Sequence, residues 1–159
     1  MGSGIEAEAA NRAKLLVVDD NAKNVELLDA TLTGEGYSVL KAYNGKEALQ
    51  IIEKERPDLV LLDIRMPEMD GYDVCRAIKA NPETASICVI MVTVYDEIEE
   101  IERGVEAGAD DFLSKPVNRM TVLSRVRIGL RVSKLQDQLD RTLAYLKEIE
   151  NRKKVKRTQ

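Results

Sequence analysis

Five short apolar runs alternate with stretches whose apolar residues recur at helical spacing, and this alternation constrains the fold more than any other feature of the chain. The runs lie at Lys14–Asp19, Ser38–Ala42, Leu59–Asp63, Cys88–Thr93 and Asp111–Leu113. Each has the length of a β-strand. Between them, Val25, Leu28 and Leu32 space one helical face before Gly34 and Gly36, and Ala48, Ile51 and Ile52 do so before Pro57. Val74, Ala77 and Ile78 follow Gly71 and stop near Asn81-Pro82, and Ile98, Ile101 and Val105 precede Gly108. Glycine and proline thus fall at the joints, where helices start and stop. Strands alternating with helices of this length predict βαβ units and a parallel sheet. The runs at 59–63 and 88–93 are almost wholly apolar, as strands covered on both faces must be. The expected fold is therefore α/β, a doubly wound five-stranded parallel sheet.

A chain of 159 residues suits one domain plus an appendage. Its residues are 44% hydrophobic but only 4% aromatic, with no Trp, so the core is aliphatic. No apolar run approaches the roughly 18 residues of a membrane span. The first 12 residues, MGSGIEAEAANR, lack the apolar stretch of a signal peptide and read as disordered or cloning-derived. Cys75 and Cys88 fall inside predicted core elements, so buried free thiols in a reducing cytoplasm are expected rather than a disulfide. With no His, imidazole acid–base chemistry and His-containing metal sites are excluded.

In a doubly wound sheet, ligands bind beyond the carboxyl ends of the strands. In the stretch LLVVDDN the first run ends in Asp19-Asp20. The third run ends in Asp63, the fourth in Thr93, and the fifth is followed by Lys115-Pro116. Three carboxylates, a hydroxyl and an ammonium would converge on one rim. Clustered carboxylates repel one another but suit a hard divalent cation, and Mg²⁺ binds through one or two carboxylates while keeping several waters. Such a cation holds a phosphoryl group as Lewis acid and template. A carboxylate can then attack phosphorus to form an aspartyl phosphate. Lys115 and the Thr93 hydroxyl would stabilise its oxygens, since phosphoryl transfer needs mainly positioning and charge neutralisation.

The motifs VVDDN, LLDIRMPEMDG, MVT and FLSKP, in this order and at these separations, resemble the receiver domain of two-component response regulators. The resemblance covers roughly residues 13–133. It implies a flavodoxin-like sheet of order 2-1-3-4-5, with the receiver over residues 13–127. It implies that Asp63 is the phosphoacceptor and that Asp20 ligates Mg²⁺ directly, Asp19 through water. The Arg65 backbone carbonyl corresponds to the third protein ligand, Thr93 to the switch hydroxyl, and Lys115 to the lysine before a proline that is usually cis, here Pro116. Phe112 corresponds to the switch aromatic that turns inward, and Gly71 marks the turn before the third helix. Taken singly, these residues read otherwise: Asp19 or Asp20 as a loop cap, Asp63 as an N-cap, Thr93 as a β-former, Phe112 as core. Their joint placement at the strand ends carries the assignment. The position after the switch Thr is usually small in this family, and Val94 there is expected to crowd the phosphoryl pocket or to slow access of a donor. Arg65 and Tyr95 stand at places that tune phosphoryl loss. The protein is then no enzyme in the ordinary sense but a phosphoacceptor switch, with self-catalysed phosphotransfer, slow autodephosphorylation, and a histidine kinase or phosphotransfer protein as partner. An aspartyl-nucleophile phosphatase of the haloacid-dehalogenase type would need a second acid in a DxD pattern, and Arg65 stands there instead.

Charge divides the chain. Residues 117–159 hold 12 basic and 4 acidic residues, and residues 1–116 hold 12 basic and 24 acidic. The basic part lacks the interleaved aromatics of a nucleic-acid surface, so nucleic acid is not an expected partner. Ile128, Val132, Leu135, Leu139, Leu146 and Ile149 recur in steps of four and three, with Thr142 interrupting. That is a heptad seam with d positions at 128, 135, 142 and 149 and a positions at 132, 139 and 146. It spans about 33 Å of helix, and Leu143 widens it. The expected result is a helical extension over 128–151 that forms a parallel coiled-coil homodimer, the alternative being a helix folded back on its own domain. Residues 152–159 read as a basic linker. No output domain is visible, so the extension is expected to lead to an effector domain after residue 159 or to be read by a partner. A constitutive dimerisation or adaptor module is the other reading.

Overall fold

A computed structural model describes residues 13–94 and 97–158. Five strands, β1 (Lys14–Val18), β2 (Ser38–Ala42), β3 (Leu59–Asp63), β4 (Cys88–Thr93) and β5 (Asp111–Ser114), form one parallel sheet of order β2-β1-β3-β4-β5. Between them run α1 (Ala22–Thr33), α2 (Gly45–Glu55), α3 (Gly71–Ala80) and α4 (Ile98–Ala107), and α5 (Arg119–Arg157) follows β5. This is the flavodoxin-like arrangement expected, with the strand bounds displaced by one residue at two ends. The two cysteines are free and buried, as expected.

The period-two alternation of each central strand divides the core into two layers. Leu16, Val18, Val60, Leu62, Val89 and Met91 face α2, α3 and α4, meeting Ala48, Ile52, Val74, Cys75, Ile78 and Ala107. Leu15, Val17, Leu59, Leu61, Ile90 and Val92 face α1 and α5, meeting Val25, Leu28, Leu32, Val122 and Val126. Each Val, Leu, Ile or Met side chain among them contributes about 1.5–3 kcal/mol when fully buried. Asn21, Asn44 and Asn118 accept backbone N–H bonds at the starts of α1, α2 and α5, and Asp70 and Asp73 form a reciprocal capping box on α3. Gly71 has no substitute: a Cβ there would lie 2.5 Å from the Asp63 carbonyl oxygen and 2.7 Å from the Ile64 Cα.

α4 forms where the apolar pattern predicts a helix, but it presents a different face. Ile98 and Val105 are exposed, and the buried residues are Gly104 and Ala107. The bulk that would otherwise come from α4 is supplied by Phe112, whose ring lies directly against Gly104. α5 is a single helix of 39 residues, about 58 Å long. Its first turns bury Val122 and Val126 and bring Gly129 against Cys88 and Leu59. Beyond Ser133, which donates to the Ser86 carbonyl, it leaves the domain, and Leu135, Leu139, Leu143 and Leu146 are all more than half exposed. The seam's polar residue, Thr142, spends its hydroxyl on the Gln138 carbonyl. The helix continues past Asn151, where the sequence reading began a linker, supported by Arg152–Glu148 and Lys154–Glu150 pairs four residues apart.

Candidate functional site

β1, β3 and β4 all end on the same rim because they run parallel, so Asp19, Asp63 and Thr93 are neighbours. All three are buried. Asp19 accepts from the Asn21 backbone N–H at 2.9 Å and the Asn24 side chain at 3.1 Å. Lys115 follows β5, with a cis bond to Pro116, and its Nζ reaches Asp19 and Asp63 equally, at 3.0 Å each. Asp20 stands at the exposed mouth. One oxygen from each of Asp19, Asp20 and Asp63 lies within 4.8 Å of the others, the only such metal-competent group among the described residues.

Electrostatics follow from that crowding. Burial pushes the Asp63 carboxyl up, to about 6, and the Asp19 charge adds to it; the Lys115 hydrogen bond and charge pull the other way, and Asp20 raises it again. Burial alone would lower Lys115, but its hydrogen bonds to Asp19 and Asp63 and their charges outweigh this and hold the ammonium above its ordinary range. One ammonium, bonded to two of three clustered carboxylates, leaves a surplus of negative charge in a half-enclosed pocket. That donor set, all oxygen and all hard, fits Mg²⁺.

The remaining expected residues divide. Phe112 is half-buried against the core layer that holds Met91 and Ala107. The Arg65 side chain pairs with Glu100 of α4 at 3.0 Å. Val94, one residue past the end of β4, is 65% exposed rather than packed into the pocket. Tyr95 lies outside the described residues. Sequence reading missed Asn24, which orients Asp19 from one turn into α1, and the group around Glu100. Tyr72, buried, donates its hydroxyl to the Glu100 carboxylate at 2.5 Å and to the Glu100 carbonyl at 3.1 Å, and Arg103 lies 4.5 Å over the Tyr72 ring. No local motif marks these residues, which are 28 and 35 positions from their partners.

Comparison with known proteins agrees with this geometry. The family model for the response regulator receiver domain matches residues 15–127. Response regulator PleD of Caulobacter vibrioides is 43% identical over 127 residues, covering 80% of this chain and 28% of PleD. Response regulator MprA of Mycobacterium ulcerans is 41% identical over 124 residues, covering 78% of this chain and 53% of MprA. The chain therefore spans about a quarter to a half of these relatives. Among solved structures, a CheY-like response regulator receiver domain protein from Methanospirillum hungatei superposes with a TM-score of 0.73 at 31% identity, covering 78% of this chain and 98% of that one. The receiver domain of a signal transduction histidine kinase from Syntrophus aciditrophicus does so at 0.71 and 37% identity, covering 75% and 90%. The family match over residues 15–127 and the five-stranded sheet of order β2-β1-β3-β4-β5 together show that this chain belongs to the response regulator receiver domain family.

Proposed function

We propose that this receiver takes a phosphoryl group on Asp63 from a histidine kinase or phosphotransfer protein and transmits the change through α5. The observation that carries this reading is the position of Lys115, which bridges Asp19 and Asp63 from the end of β5. An Asp63 oxygen attacks the phosphorus of a phosphohistidine. The phosphorus–nitrogen bond breaks, its electron pair stays with the imidazole, and an acyl phosphate remains on Asp63. Lys115 neutralises phosphoryl charge, and the Thr93 hydroxyl donates to a phosphoryl oxygen. The raised pKa of Asp63 makes it a better nucleophile and still leaves it mostly ionised at neutral pH. Asp20, Asp19 by way of water, Asp63 and the Arg65 carbonyl would hold Mg²⁺, which when bound supplies the countercharge for the entering phosphoryl group. With Thr93 drawn toward the phosphoryl group, Phe112 fills the space it vacates and the α4–β5–α5 face shifts between two existing populations. Arg65 in place of a second acid, turned to Glu100, disfavours turnover of external phosphoesters.

The exposed leucines of α5 support a homodimer paired through the outer helix, which would position an effector that follows it or a partner that reads it. That no helix among the described residues is long and apolar enough to cross a membrane fits a cytoplasmic setting. The phosphoacceptor assignment is tested by exposing the chain to a small phosphodonor with Mg²⁺ and mapping the label. It is expected on Asp63 and absent from Asp63→Asn; a label that survives this substitution refutes the assignment.

A further inference from the structure

The β3–α3 loop and α4 enclose a cleft of about 200 Å³ beside the three acids, lined by Ile64, Arg65, Met66, Asp70, Tyr72, Glu100 and Arg103. Its polar groups are unequally held. The Glu100 side chain is 14% exposed and carries two donors, the Tyr72 hydroxyl at 2.5 Å and Arg65 at 3.0 Å. The Arg65 side chain is 63% exposed. Glu100 therefore keeps a strong, buried, charge-assisted bond if Arg65 leaves, whereas an ion pair with one mostly exposed partner binds weakly. Arg65 also sits near a second cation, since Arg103 is held over the Tyr72 ring of the same cleft. Its backbone lies within about 7 Å of Asp63, two residues along the chain. A phosphoryl group on Asp63 brings a charge of about −1.5 to −2 and three acceptor oxygens within reach of that arm.

We infer that Glu100 is a positioning residue that holds the Arg65 guanidinium on α4 in the resting state, and that the phosphoryl group on Asp63 competes with Glu100 for it. The inference rests on the proposed role of Asp63. The exchange removes the Arg65–Glu100 tie between the β3–α3 loop and α4 while leaving in place the tie from Tyr72 of α3 to Glu100. It forms a route from the site to α4 that does not pass through Thr93 or Phe112. By reciprocity, the factor by which the Arg65–Glu100 pair weakens binding of the phosphoryl group is the factor by which the phosphoryl group weakens the pair.

Beryllofluoride with Mg²⁺ serves as the phosphoryl probe, its affinity measured by calorimetry on the whole chain. Glu100→Gln keeps the Tyr72 bond through the amide oxygen but loses the charge that holds Arg65. It is expected to bind the probe about five-fold more tightly than wild type, in the range of couplings between contacting residues. Arg65→Ala is expected to bind more weakly, and Arg65→Lys to recover part of the loss. The double substitution Arg65→Ala with Glu100→Gln is expected to match Arg65→Ala alone. A Glu100→Gln gain that persists in the Arg65→Ala background would mean that α4 is merely loosened, and it overturns the inference, as does the absence of any gain. A probe that binds Asp63→Asn as well as wild type overturns the Asp63 reading itself, a failure distinguishable from the first two.

Discussion

The acidic pocket buries like charges where water would suit them, whereas the outer half of α5 holds leucines in water where a core would suit them. Asp19 and Asp63 are at most 6% exposed, while Leu135, Leu139 and Leu146 are more than half exposed. The pocket is rigidly built: Asn21, Asn24 and Lys115 fix Asp19, and Lys115 fixes Asp63. The outer helix is held only by its own hydrogen bonds and a few ion pairs along its surface. Unfavourable free energy in the pocket is therefore available to a small ligand that fits, and in the helix to a surface that covers it. Most of the domain between them is ordinary close-packed sheet and helix.

The sharpest way to separate the two regimes is one substitution at two points of α5. Val126→Asp places an unpaired charge in the core layer and is expected to cost about 4 kcal/mol or more in urea unfolding. Leu139→Asp is expected to change the unfolding of dilute, monomeric protein by less than about 0.5 kcal/mol, because its site is already in water. In sedimentation at tens of micromolar, with and without beryllofluoride, the same Leu139→Asp should shift the proposed dimer toward monomer, losing about 1.5–3 kcal/mol for each seam side chain no longer buried. Monomeric wild type under every condition would break the comparison, leaving the leucines for another partner.

The pocket's side is tested by pH. The Asp63 pKa is raised from the ordinary 3.8 to about 6, so the folded state binds this proton more tightly than the unfolded chain. Stability from this group is present below the unfolded pKa and is lost as pH rises through about 6. Asp63→Asn removes that loss. It is expected to be more stable than wild type by roughly 2 kcal/mol at pH 7.5 without divalent cations, the difference closing as pH falls toward 4. Thermal unfolding at both pH values measures it, and a difference that grows on acidification would reverse the assigned sign. A smaller effect concerns the proposed Mg²⁺ ligands. Asp19 is committed to three protein donors and Asp20 stands at the mouth, so Asp20→Ala is expected to weaken Mg²⁺ binding by about ten-fold and Asp19→Ala by less. Equal affinity in wild type and Asp20→Ala, by titration, would refute the direct role of Asp20.

What the sequence shows and hides follows from range. β3 and β4 are readable to the residue because both faces of each are covered and every position but the last, Asp63 and Thr93, is apolar. Asp19, Asp63, Thr93 and Lys115 are readable because parallel strands place chain-local signals, the strand ends, side by side. Glu100 and Tyr72 are not, since their partnership forms only after α3 and α4 pack. The outward turn of Ile98 and Val105 is hidden for a related reason: Phe112, from another element, occupies the space an apolar α4 face would fill. Residues 152–157 look like a solvated linker by composition, yet spacing of four between Arg152 and Glu148 is also what a solvated helix uses.

The length of α5 turns the domain into the short end of a lever. From Ser133, the last residue of the helix bonded to the domain, to Arg157 is about 36 Å of helix. A tilt of about 5° at that fulcrum sweeps the far end through roughly 3 Å, more than half of a helical turn's rise of 5.4 Å. Rearrangements of a fraction of an ångström where Val122 and Val126 meet the sheet are thus magnified into displacements large enough to change which side chains can meet at the tip.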